Sequence, residues 1–236
     1  MMEPLVVAIA WVLPYVTVAI FLGGIAFKAI SWFLRSMAVT WALYPVPGTR
    51  AGRLATFFLE VFTLRSLSRG SKQFWVTAIA FHAALALIIV GHIRVLSAYP
   101  DYLMKQVGIT SIDTLSLVAG GAAGVGIVLA TLYLLFRRFM LPYVREISGA
   151  SDYVDIVLLM AVFLSGDYMR FFSNVTLDET RAFFMSLATF TPKPPPGEPI
   201  FLLHFFLAQV FLMYLPFSKL MHFIGLLINQ KITITG

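Results

Sequence analysis

Residues 74–96 read FWVTAIAFHAALALIIVGHIRVL. Over these 23 positions the sole charged side chain is Arg94, close to the end. A run of about 20 apolar residues matches the roughly 30 Å hydrocarbon core of a bilayer, so the segment reads as a membrane-spanning helix. It also carries two imidazoles, His82 and His92, ten residues apart. Ionisable groups within spans are uncommon and usually face the bundle interior with a partner. This stretch therefore predicts both a membrane bundle and something inside it that imidazoles can hold.

Outward from that helix, four more apolar runs bring the expected spans to 5–33, 74–96, 112–135, 153–172 and 200–229, the last interrupted by Pro216. The expected fold is an all-α membrane protein. Residues 1–236 form a single domain of five transmembrane helices in one bundle. The whole chain is 60% hydrophobic and 12% charged, about half the charged fraction of a soluble domain. The net charge of +6 does not point to nucleic acid, because the cations cluster in connections between apolar runs. There is no cysteine, which excludes disulfides, thiolate zinc, covalent c-type haem and a resident iron–sulfur cluster. Glu3 and Pro4 precede an apolar run too long for a signal peptide, so the first run is expected to be retained as a span.

The connections set the expected orientation. A long basic connection punctuated by Pro45, Pro47, Gly48 and Gly70 carries Arg35, Arg50, Arg53, Arg65, Arg69 and Lys72. With Arg137, Arg138, Arg145 and Lys231 these are ten cations on one side, against five on the other: Arg94, Lys105, Arg170, Arg181 and Lys193. The positive-inside bias places the N-terminus outside and the C-terminus in the cytoplasm. The stretch 178–190, with Phe183, Phe184 and Leu187, is expected to lie along the interface as an amphipathic helix. Pro192–Gly197 is expected to be a rigid turn. In the Gly120-Gly121-Ala122-Ala123-Gly124 run, a GxxxG step predicts close helix packing. Asp152 is expected to cap a helix N-terminus, while Asp155, Asp167 and Arg170 have no assigned role.

All four histidines of the chain, His82, His92, His204 and His222, fall in apolar runs, two on the second and two on the fifth. Imidazole is the usual axial ligand of b-type haem iron, and two pairs on two antiparallel helices suit two bis-histidine haems. Depth matching pairs His82 with His222 at the inner side and His92 with His204 at the outer. Straight helices would put the first two about 15 Å apart along the axis and the last two about 27 Å. The expected mismatch of about 12 Å must then be taken up by opposite tilts of the iron–imidazole axes. The competing reading is four core histidines bonded to hydroxyl or carbonyl groups. Gly91 beside His92 would let a flat haem approach the backbone. Arg94, Lys219, Arg69 and Lys72 either pair with haem propionates or snorkel to the interface.

Several motifs resemble the gamma subunit of respiratory nitrate reductase. They are Pro14-Tyr15, Phe81-His82 with Val90-Gly91-His92, the run from Ala119 to Val125, Arg137-Arg138, Pro142 to Arg145, and Pro216 to His222 with His204 eighteen residues ahead. The resemblance spans about residues 13–226. It implies a five-span cytochrome with two haems b, His92 and His204 at the outer haem and His82 and His222 at the inner, exchanging electrons with quinone, menaquinone being the expected substrate. Ile112 stands where the nitrate-reductase branch has a lysine near its quinol site. The Gly166 to Arg170 segment and the proline-rich turn resemble instead the cytochrome subunit of complexes associated with dissimilatory sulfite reductase. That implies sulfur metabolism and a cytoplasmic iron–sulfur partner resembling heterodisulfide reductase, with further membrane subunits and outer-face cytochrome c subunits.

The expected protein is thus the quinone-reactive electron-transfer subunit of an oxidoreductase complex in the cytoplasmic membrane, solvated by lipid and without nucleic acid. A quinone needs a proton acceptor near the outer haem, and Lys105, Asp101 and Asp113 in the following loop are the candidates. Competing classes are a nitrate reductase gamma subunit, a membrane anchor without redox function, and a transporter, which the sparse intramembrane charge disfavours.

Overall fold

The computed structural model describes residues 3–34 and 49–222, and every regular element among them is helical. Helix α1 (Pro4–Val7) passes through a π-turn (Ala8–Val12) into α2 (Leu13–Leu34). Pro14 explains the wide turn, because a proline ring collides with the carbonyl four residues earlier and removes one helical bond. The loosened backbone is used: the Ile9 carbonyl accepts a hydrogen bond from Gln209 Nε2, 3.2 Å away.

The basic connection after the first span is helical in its described part: α3 (Arg50–Thr63) and α4 (Arg65–Ser68). Arg35, Pro45, Pro47 and Gly48 lie outside the described residues. Thr49 caps α3 by accepting from Gly52 N at 3.1 Å, and Trp75 Nε1 donates to the Thr63 carbonyl at 2.7 Å. Then follow α5 (Lys72–Leu96), α6 (Tyr99–Gln106), α7 (Ile112–Met140), α8 (Pro142–Glu146), α9 (Ala150–Phe172), α10 (Leu177–Ala188) and α11 (Pro199–Tyr214). Asp152 does not itself occupy the N-cap position of α9. It stands three residues further on, and its carboxylate accepts from Gly149 N at 2.8 Å.

Neighbouring helices meet in the order α5, α7, α9, α11, α2. Ile127, Leu159 and Phe163 form a buried centre, flanked by Phe81, Leu85, Phe211 and Leu220. The remaining surface of the long helices is apolar and exposed, as at Leu87, Ile89 and Val90 of α5, which suits lipid as solvent. Among the described residues, four stretches are long and apolar enough to cross a membrane: Pro4–Trp32, Lys72–Leu96, Ile112–Met140 and Pro199–Phe217. Helix α9, at 23 residues, has the length but carries Asp152, Asp155, Asp167 and Arg170.

One further expectation needs correction. Helix α10 does not present Phe183 and Leu187 to an interface; Phe183 is 1% exposed and packs on Phe201 and Phe205 of α11. The fifth apolar run is interrupted at Pro216, as its sequence implies. Helix α11 stops at Tyr214, and two 3-10 turns, Leu215–Phe217 and Lys219–Met221, deliver His222. Pro216 ends the helical ladder. The residues of this run beyond 222 lie outside those described.

Candidate functional site

The four histidines meet in two pairs at different levels of the bundle. The ring centres of His82 and His222 are 6.0 Å apart with planes at 85°. Those of His92 and His204 are 6.4 Å apart with planes at 30°. The pairing is the one depth matching gives.

Local bonds fix the tautomers. His82 Nδ1 lies 2.7 Å from the Ala78 carbonyl, and His92 Nδ1 lies 2.7 Å from that of Ile88. A carbonyl only accepts, so in each ring Nδ1 carries the proton and Nε2 keeps its lone pair. His204 Nδ1 is 3.0 Å from Ser165 Oγ. That hydroxyl already donates to the Val162 carbonyl at 2.9 Å, so it accepts from His204, and there too Nε2 is left free. Such a bond at the second nitrogen is how proteins orient ligating imidazoles.

A metal between two imidazoles, at about 2 Å per bond to nitrogen and about 1.1 Å from nitrogen to ring centre, separates the ring centres by about 6.2 Å. Both pairs have that spacing. Among the described residues no group of three or more His, Cys, Asp or Glu could hold a metal. Two axial imidazoles alone suit an iron that brings its equatorial nitrogens with it, as haem does. Space agrees: a Cβ placed on Gly91 would meet nothing within 4 Å, so the backbone beside His92 is open to a flat group. The residues present fit haem.

The cations near the pairs are engaged. Arg94 binds Asp101, and its Nη2 donates to Asp113 at 2.7 Å. Arg181 of α10 donates to the Arg94 carbonyl at 2.8 Å and to Asp101 at 3.3 Å. Burial pushes the Asp101 carboxyl up, but the guanidinium groups of Arg94 and Arg181 outweigh it and hold the group below the usual carboxylate range. Lys219 Nζ donates to both oxygens of Asp152, at 3.0 and 2.8 Å. Lys105 is exposed, and the side chain of Asp113 is 94% exposed.

Sequence reasoning missed Ser165 and Gly166. Ser165 holds His204, and a Cβ on Gly166 would come within 3.1 Å of His204 Cε1. The signal was a small polar pair within the apolar run of α9.

The fold and the two imidazole couples describe a helical membrane protein with paired histidines inside its bundle, and comparison with known proteins gives its family. A family profile described as nitrate reductase gamma subunit matches residues 50–229, and the chain belongs to that family. Similar proteins include the Hdr-like menaquinol oxidoreductase cytochrome b-like subunits of Archaeoglobus fulgidus and Archaeoglobus profundus. The first is 28% identical, covering 89% of this chain and 74% of the relative. The second is 26% identical, covering 92% and 76%. The nitrate reductase gamma chain of Bacillus subtilis is 22% identical, covering 92% and 91%. The resemblance read from the motifs is thus a family relationship. Those relatives are subunits of oxidoreductase complexes.

Proposed function

We propose that this chain is the cytochrome b subunit of a membrane oxidoreductase complex, carrying electrons between menaquinone and a cytoplasmic iron–sulfur partner through two haems b. The observation that carries the proposal is the pair of imidazole couples with ring centres 6.0 and 6.4 Å apart. His82 and His222 would hold the inner haem, His92 and His204 the outer. When bound, haem supplies one-electron storage at each level and takes up no proton.

Quinol oxidation releases two electrons and two protons, so the outer site also needs proton acceptors. In this reading exposed Asp113 and Lys105 exchange protons with solvent, and Asp101, clasped by two arginines, orders the loop around them. Gly91 opens the face beside His92. Arg94 and Lys219 border the haems, each tied to a carboxylate that fixes its position. Residues 1–236 then form one domain.

Helix α9 is the fifth span of this reading. At 23 residues it is about 35 Å long. A charge facing lipid at mid-depth costs about 2.5–3.5 kcal/mol or more, and α9 turns Asp167 and Arg170 toward α7 instead. The basic connections set the N-terminus outside and the C-terminus in the cytoplasm. The partner resembles heterodisulfide reductase, and the complex serves sulfur metabolism. Support for that branch comes from the two Archaeoglobus relatives and from Ile112, an apolar buried residue at the start of α7.

The test is spectroscopic. The purified chain reduced with dithionite is expected to show b-type α-bands and two haems per chain. His222→Ala should remove one haem and His92→Ala the other. A colourless protein, or single variants that keep both haems, sinks the proposal.

A further inference from the structure

On a straight continuation of α11, His222 would stand about 27 Å along the axis from His204, whereas its counterpart His82 is about 15 Å from His92. The fold removes this mismatch by breaking α11. After Tyr214 the chain leaves the α-helical ladder, and Ser218 at φ −92°, ψ 169° is extended between two 3-10 turns. Turns of three residues have poor hydrogen-bond geometry and little stability of their own. Something must hold the break in one shape if His222 is to face His82.

One carboxylate of α9 stands where that support is needed. Asp152 is buried, at 9% exposure. It receives both hydrogen bonds from Lys219, just past the break. Asp152 therefore grips the chain immediately after the Pro216 interruption.

The grip is anchored. Gly149 N donates to Asp152 at 2.8 Å, fixing the carboxylate before Lys219 reaches it. Lys219 is 63% exposed, so its ammonium keeps much of its hydration while it closes over a buried anion. On the far side, Pro216 sits against α2 so closely that a Cβ on Gly24 would fall 2.6 Å from it. Ser218 Oγ accepts from Leu220 N at 3.1 Å, and Met221 is 1% exposed.

We infer that Asp152 is a positioning residue for the inner haem: through Lys219 it clamps the break in the last helix and sets His222 opposite His82. The role assigned to Lys219 is this clamp, not a propionate contact. The inference rests on reading His222 as an axial ligand, and His222→Ala tests that reading by itself.

The experiment uses the full-length chain purified in detergent, with haem content, redox titration and EPR as readouts. The imidazole planes, at 85° in one pair and 30° in the other, would give the two irons different EPR signatures, and His222→Ala identifies the inner one. Lys219→Met, which leaves the bond from Gly149 to Asp152 in place, should broaden the inner signal, move its midpoint potential or lower its occupancy. The outer haem, which reports that the bundle is folded, should be unchanged. The charge-swapped double variant Asp152→Lys with Lys219→Asp should recover the inner signal relative to Lys219→Met.

A parental inner-haem signature in Lys219→Met would overturn the clamp, as would equal damage to both haems or a swap that recovers nothing. If His222→Ala keeps both haems, the ligand reading fails, and the clamp falls with it.

Discussion

Gly166 does for His204 what no larger residue can. Its added Cβ would sit 3.1 Å from Cε1 and 3.5 Å from Nδ1 of the imidazole, against the ring that Ser165 orients. Contact at that range forces the ring to move, and a ligand displaced by a fraction of an ångström loses its bond geometry. Gly166→Val is therefore expected to lose the haem that His92→Ala also loses and to keep the other. Optical spectra of the two variants, compared with His222→Ala, check this. Loss of the wrong haem, or of neither, would show that His204 tolerates the intrusion.

Between α7 and α9 the same economy extends over a whole helix face. Gly120 meets Arg170, Gly121 meets Phe171, and Gly124 meets Asp167 so closely that a Cβ would overlap its carboxylate. Arg170 Nη1 also donates to the Ser116 carbonyl at 3.0 Å. Small residues let the antiparallel backbones approach, and the approach sets the Asp167 carboxylate and the Arg170 guanidinium against α7. A Cβ on Gly126 would meet nothing within 4 Å. Gly124→Leu should thus cost about 1–3 kcal/mol through overpacking, while Gly126→Leu should stay within about 0.5 kcal/mol of the parent. Thermal unfolding in detergent, followed by loss of helical circular dichroism, measures the difference. Equal behaviour of the pair would count against the tight α7–α9 interface.

Across the whole molecule, one ionic knot joins α5, α6, α7 and α10 at the His92 end. Arg94 and Arg181 enclose Asp101, and Asp113 completes the set. Because the folded protein holds the Asp101 carboxyl below its ordinary value near 3.9, the unfolded chain binds this proton more readily. Its contribution to stability is fully present above about pH 4 and is lost as pH falls through the depressed folded value. Asp101→Asn should accordingly lower the unfolding temperature at neutral pH and flatten its decline below about pH 4. An acid limb identical to that of the parent would show that this carboxylate does not couple to folding.

The sequence alone determined the apolar runs, the levels of the four histidines and which should meet, and the glycine face of α7. All of these are one-dimensional: a bilayer demands length and apolarity, and residue spacing along a helix converts directly into depth and face. The break after Tyr214, the clasp of Asp152 on Lys219 and the support of His204 by Ser165 and Gly166 were decided only in three dimensions. Pro216 announced an interruption, but where the chain goes next depends on a notch in α2 and on Asp152 of α9, both far away in sequence. Helix α10 shows the same limit. Its amphipathic pattern fits an interface or a neighbour equally well, and only the presence of Phe201 and Phe205 beneath it directs Phe183 inward.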